Sequence, residues 1–320
     1  MNIPPACRVS ALAAALLLPL AFAARAQDTT PPVIVNPIAD VTVPVNSPQS
    51  VLNIKKTFGL NGVNGTLVRM STGLGKIDLE LFDADAPNTV RNFLLYVTND
   101  AYTDTVFHRS TRLDSAGLAI IQGGETTVQN YTISTITTYG NVANEYRLPN
   151  TRGTIAMAKL GGQPDSASDQ WFFNVSDNST TLNESNNGGF TVFGRVIEGD
   201  MATVDAINAL QTYNLTNVHS SWSDIPLKNY DGANVTPDNL VLASSVDVVP
   251  LVSKGDGKPG VLKVSVKGNT NPGLVTPTVV KGKKLILAYT PGQTGTATIT
   301  LKVKSASKTK IKHSFNVTVQ

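Results

Sequence analysis

The chain has 320 residues, 41% of them hydrophobic and 15% charged, enough apolar material for a packed core spread over one to three domains. The formal charge is +3, and about +1 once Arg8 and Arg25 are removed with the leader described next, which excludes the strongly basic balance of a nucleic-acid-binding domain. The only cysteine, Cys7, lies in that leader, so the mature chain is expected to carry no disulfide and no thiol chemistry; three histidines without a pair at ligand spacing give no metal site.

Residues 1–26 read as a secretory signal peptide. Arg8 supplies the positive region, "ALAAALLLPLAFA" the apolar run, and "ARA" a small-x-small cleavage site. The run is too short for a membrane anchor. The expected location is the periplasm or the exterior after cleavage near Ala26, with no membrane insertion. Residues 27–60 follow, rich in proline, with short alternating stretches at Ile38, Val41, Val43, Val45, Val51 and Ile54. These are edge-strand material, too short to bury a core alone.

After a Gly/Asn turn cluster, "GKIDLELF" (residues 75–82) predicts a strand with Ile77, Leu79 and Leu81 inward against Lys76, Asp78 and Glu80. "DADAPNTVRNFLLYVTN" carries start signals at Asp85, Pro87 and Asn88 and an apolar face of Val90, Phe93, Leu94 and Val97, which predicts a helix. Asp83 and Asp85 fit helix capping. "RGTIAMAK", "QWFFNV" and "FTVFGRV" predict buried strands, and residues 199–210 a second amphipathic helix with Val204, Ile207 and Leu210 on one face. Beyond residue 246, short Val/Thr/Lys strands separated by "GDGKPG", "GNTNPG" and "TPGQTG" predict a β-sandwich segment, whose lysine pairs such as Lys283-Lys284 read as solvated turns.

The sequence contains no HExxH, CxxC or GxSxG, and the glycines of "IQGGE" lack the Lys-Ser/Thr of a phosphate loop. What remains is "FHRS" at residues 107–110 and "IQGG" at 121–124. With "NTRGTIAMA", "DQWFFNV" and "FTVFGRVIEGD" in order behind them, these residues resemble the cyclophilin family of peptidyl-prolyl cis/trans isomerases, especially its bacterial periplasmic branch. The resemblance covers residues 67–246. It implies a mainly β chain with an eight-stranded closed β-barrel capped by two helices. The flanks, residues 27–60 and 247–320, resemble the first and the remaining strands of one immunoglobulin- or cadherin-like β-sandwich, with the isomerase domain inserted between them.

The implied chemistry is modest. An X–Pro bond favours trans only slightly but rotates slowly, because amide resonance must be broken. No bond forms or breaks, so neither cofactor nor metal is implied. A fixed guanidinium near the prolyl nitrogen favours the twisted amide over both planar states. By resemblance Arg109 fills that role, Gln122 holds it and the substrate backbone, and Phe172 grips the proline ring. Ile120, Met157, Ala119 and Leu182 are assigned to the apolar wall, and Ala158, Gln170 and Phe190 to the groove beside it. Ala119 stands where the family often has a large aromatic, and Leu118 is placed to occupy that volume. Thr181 replaces another wall aromatic. His108 is read as structural. The implied partners are proline-containing polypeptides, with protein contacts through the sandwich and no nucleic acid. The altered pocket leaves a non-catalytic peptide-binding or cell-surface module as the alternative.

Overall fold

The computed structural model describes residues 30–112, 118–197, 199–253, 260–306 and 308–320. The leader at residues 1–26 lies outside them. Eleven antiparallel strands form one curled sheet in the order Thr132–Thr135, Thr126–Gln129, Thr105–Val106, Leu242–Val248, Leu67–Thr72, Gly75–Leu81, Val192–Val196, Thr154–Met157, Trp171–Asn174, Ile120–Gly123 and Arg109–Ser110. The ladder is an open half-barrel, not the expected closed barrel of eight. It is interrupted at Phe107 and His108, within the run that joins its third strand to its last. Thr105–Val106 pairs with Leu242–Val248, whereas Arg109–Ser110 pairs with Ile120–Gly123. Single backbone hydrogen bonds, Phe107 N–H to Val241 and His108 N–H to Gln122, both 3.0 Å, flank the break.

The concave face encloses Met70, Ile77, Leu79, Leu81, Ile121, Ile155, Trp171, Phe173 and Phe193. Helix α1 (Pro87–Thr98) closes this core with Val90, Phe93 and Val97 as the apolar spacing predicts, and with Tyr96 in addition, while Leu94 is only partly buried. Helix α2 (Met201–Asn208) contributes Val204 and Ile207.

Local signals account for these elements unevenly. Pro87 opens α1 with its ring in the first turn, but no neighbouring side chain caps the helix. The cap comes from far along the chain. Glu145 accepts from the amides of Asn88 (3.2 Å) and Thr89 (2.8 Å) and from both side chains. Asp83 and Asp85, expected as caps, do other work: Asp83 accepts from Thr66, and Asp85 faces Arg147 at 3.7 Å. In the strand Gly75–Leu81 the outward acids are buried as well. Asp78 receives Arg69 in two hydrogen bonds (2.6 and 2.9 Å) and Lys76 (2.6 Å), while Glu80 receives Arg195 and the amides of Asn64 and Gly65. A buried carboxylate is tolerated only with such partners.

Among the described residues, two short pairs, Pro32–Ile34 with Phe58–Leu60 and Thr212–Tyr213 with Ile225–Pro226, stand apart from two larger sheets that face each other over a separate core. One has the order Leu262–Asn269, Gly295–Ser305, Lys310–Val319, Val41–Val43, and the other Val275–Val280, Lys284–Tyr289, Gln49–Asn53. Val41, Thr42 and Val43 pair in parallel with Val317, Thr318 and Val319, and Gln49–Asn53 pairs with Lys284–Ala288. Residues before and after the large sheet therefore share sheets. Phe58, Leu285, Leu287, Ile299, Leu301, Phe315 and Val317 meet between them.

The remote cap makes a direct prediction. Burial would raise the Glu145 carboxyl, but the hydrogen bonds from Thr89 and Asn88 hold it below its ordinary value. Its contribution is present above the unfolded carboxyl pKa and lost as pH falls through the lowered one. Glu145→Ala is expected to cost about 1–2 kcal/mol of unfolding free energy at neutral pH, read by urea denaturation.

Candidate active site

The site is built on one cross-strand row. Ala156 lies opposite Phe172, Phe172 opposite Gln122, and Gln122 opposite Arg109. Residues directly opposite in a ladder point to the same face, so Phe172, Gln122 and Arg109 emerge together on the convex side. The neighbouring row, Met157–Trp171–Gly123, points into the core.

Gly123 explains the glycine pair after the glutamine. A Cβ there would stand 2.8 Å from Trp171 Cη2, and one on Gly124, at φ +94°, would stand 2.4 Å from the Asp169 carbonyl. Both positions require glycine so that the indole can fill the curl of the sheet. They are packing residues.

The polar side of the row is a relay of side chains. Arg109 Nη1 donates to Gln122 Oε1 over 3.5 Å, and Gln122 Nε2 donates to Gln170 Oε1 over 2.7 Å. Gln122 stands between two cavities. One of about 770 Å³ is lined by Arg109, Thr111, Arg112, Gln211 and Asp224 among others; the other, about 220 Å³, takes in Gln122, Ala158, Lys159, Ser168 and Gln170. An extended segment lying across the row would pass from one to the other over Gln122.

The apolar side is a cluster of Ile120, Ala156, Phe172, Leu182 and Val192, with Leu118, Ala158 and Phe190 packed against it. Phe190 meets Phe172 edge-on at 5.9 Å, and Lys159 Nζ sits 4.9 Å from the Phe190 ring centre while bonding the carbonyls of Asn187 and Gly189. Burial lowers the Lys159 ammonium below its ordinary pKa. Ile120, Phe172, Leu182, Ala158 and Phe190 thus come together, and Arg109, Gln122 and Gln170 border them.

Two expected wall residues are elsewhere. Met157 is 1% exposed inside the large core, because the pleat puts it level with Trp171 and leaves Ala156 on the groove face. Ala119 also turns into that core, as the alternation around Ile120 requires, and Leu118 takes the groove side. Ala119 is therefore part of the core wall, with Leu118 contributing the apolar contact outside.

Sequence reading missed three asparagines. Asn178 Nδ2 donates to Ala119 O (3.0 Å) and to Asn174 Oδ1 (2.8 Å), and its Oδ1 accepts from the Ala119 amide (3.2 Å). Asn174 donates to Asn150 and Thr154, while Asn150 donates to the carbonyls of Phe190 (2.9 Å) and Leu182 (3.3 Å). All three asparagines are fully buried. They tie the segment before Ile120 to the two wall residues across the groove. The available signal was polar side chains inside otherwise apolar strand text, "FFNV" followed by "SDN".

His108 neighbours Arg109 in sequence but is buried on the other side, 3.4 Å from Glu125. Burial pushes its pKa down from 6.5 to about 4, with Arg109 adding to the shift and Glu125 opposing it. The imidazole is neutral at pH 7.

Two measurements test these assignments. Because the unfolded chain binds a proton on His108 from about pH 6.5 downward and the folded chain only near 4, stability should fall across that window, by roughly 3 kcal/mol at its lower end. Chemical denaturation at stepped pH should show this slope, flattened in His108→Asn. Asn178→Ala should cost about 1–3 kcal/mol, since it strands a buried amide and carbonyl, and should shift the NMR signals of Leu182 and Phe190 while Trp171 stays in place.

Comparison with known proteins shows the family. Residues 67–229 match the family model of cyclophilin type peptidyl-prolyl cis-trans isomerases. A peptidyl-prolyl cis-trans isomerase of Acinetobacter baylyi is 38% identical over 163 residues, 51% of this chain and 82% of that protein. One from Streptomyces antibioticus is 42% identical over 148 residues, 45% of this chain and 84% of its own length. Peptidyl-prolyl cis-trans isomerase B of Escherichia coli is 40% identical over 149 residues, 46% and 86% of the two chains. The chain belongs to the cyclophilin-type peptidyl-prolyl cis-trans isomerases.

Proposed function

We propose that this enzyme turns X–Pro bonds of exported proteins, with Arg109 as the group that favours the twisted amide. The observation that carries the reading is the row Phe172–Gln122–Arg109, which sets an aromatic face and a guanidinium on one side of the sheet with a glutamine bridging them. As the amide twists, the prolyl nitrogen regains its lone pair and accepts a hydrogen bond. Arg109 Nη is placed to donate it, and Gln122 fixes the guanidinium and offers an amide to the peptide backbone. Phe172, Ile120 and Leu182 contact the proline ring. A group that stabilises only the twisted state lowers the barrier without changing the cis/trans equilibrium.

Export rests on the leader pattern of residues 1–26, and amino-terminal sequencing of envelope or medium fractions should find a chain beginning at Gln27. The pairing of Val41–Val43 and Gln49–Asn53 with carboxy-terminal strands supports residues 67–246 as an insertion into one immunoglobulin- or cadherin-like sandwich built from residues 27–60 and 247–320.

One observation favours a second reading, a peptide-binding module without turnover: Phe172 is 3% exposed beneath its neighbours. NMR exchange on X–Pro peptides separates the two. Turnover by the native chain, reduced on the order of a hundredfold in Arg109→Ala with the peptide still bound, supports the enzyme mechanism. Peptide binding with unaltered exchange in both proteins would establish the module instead.

A further inference from the structure

The charge of the molecule is segregated in a way its small total conceals. Residues 249–320 contain twelve lysines, no arginine and one acid, Asp256, for a formal +11, while residues 1–248 sum to −8. Five of the lysines share one face. In the four-stranded sheet Lys263 lies opposite Lys304 and Lys304 opposite Lys310; one step along, Lys302 lies opposite Lys312 and, on its other side, Ser265. The inward partners of these rows, Val264, Val303 and Ile311, pack on the core. Lys263, Lys304, Lys310 and Lys312 are exposed and Lys302 half-buried. Among the described residues none of the five meets a carboxylate within salt-bridge distance.

Like charges directly opposite on adjacent strands destabilise a sheet, with Cβ atoms only about 4.5–5.5 Å apart. Solubility alone is served as well by scattered charges of both signs. The array is planar, spread over three strands. The face continues through Thr300–Ser314, Thr298–Asn316 and Thr296–Thr318, with no aromatic ring to stack on a base or sugar. Nor is there a guanidinium fork to read a phosphate in two hydrogen bonds. Such a face recognises a broad field of negative charge, without direction or sequence. We propose that this lysine array docks the protein on an anionic lipid leaflet, by adsorption without insertion.

The test is co-sedimentation of the full chain with phosphatidylcholine vesicles and with phosphatidylcholine–phosphatidylglycerol vesicles, at low and raised salt. Binding is expected only to the anionic vesicles and should weaken with salt. The triple variant Lys302→Gln/Lys304→Gln/Lys312→Gln should lose on the order of a hundredfold in partition coefficient, while its melting temperature is equal or higher and its isomerase rate unchanged. A second variant, Lys263→Gln/Lys310→Gln, thins the same rows and should also weaken binding. Equal binding to both vesicle types, or no loss in either variant, overturns the proposal. So does capture of the chain by duplex DNA or a sulfated polysaccharide with none by vesicles, which would assign the face to a different polyanion.

Discussion

The close approach of Trp171 to Gly123 is the constraint on which the site depends. The indole fills the curl of the large sheet and needs the volume that a Cβ at position 123 would take. That contact fixes the register of Ile120–Gly123 against Trp171–Asn174. Because strand side chains alternate, the same register sends Gln122 and Phe172 to the opposite face. A slip of one residue would place Gln122 in the core and Gly123 in the groove. Core packing and groove geometry are thus two sides of one pleat.

The groove is held at a second level by buried polar groups. Asn150, Asn174 and Asn178 link backbone atoms of Ala119 to those of Leu182 and Phe190, far along the chain, which a hydrophobic contact alone would leave free to slide. A fully satisfied network of this kind specifies one arrangement. Across the molecule, Asp78 and Asp200 share Lys76, and burial raises Asp200 to about 6. Since the unfolded carboxyl releases its proton earlier, this group opposes folding increasingly as pH rises from 3.8 to about 6, while His108 acts in the reverse direction over much of the same window.

The smaller sheets follow a different economy. Their core, mostly aliphatic with Phe58, Tyr289 and Phe315 among the branched side chains, is continuous across residues before and after the large sheet, and the lysines of the four-stranded sheet turn outward. Their lysine rows therefore lie on a core separate from the apolar cluster of the groove.

The sequence by itself determined the family and the alternation of elements. "FHRS", "IQGG" and "QWFF" lie in order, the periods of the strand and helix segments are plain, and most of the site follows from these local patterns. What it misassigned has a common cause. Met157 and Ala119 are apolar residues beside a groove, and composition cannot say which face of the sheet an apolar residue takes when both faces are covered; register does, and register is set by a tryptophan and a glycine on other strands. The α1 cap was sought next to the helix and came from Glu145, which only the folded chain brings near. The closed barrel became an open curl because the ladder is interrupted at Phe107 and His108, inside the run Thr105–Ser110. The lysine pairs read as solvated turns, such as Lys283-Lys284, are not the ones that cluster; Lys263, Lys302, Lys304, Lys310 and Lys312 form an array only because three strands align them. Local chemistry is written in short segments, whereas facing, capping and clustering are relations between segments, which the tertiary structure alone decides.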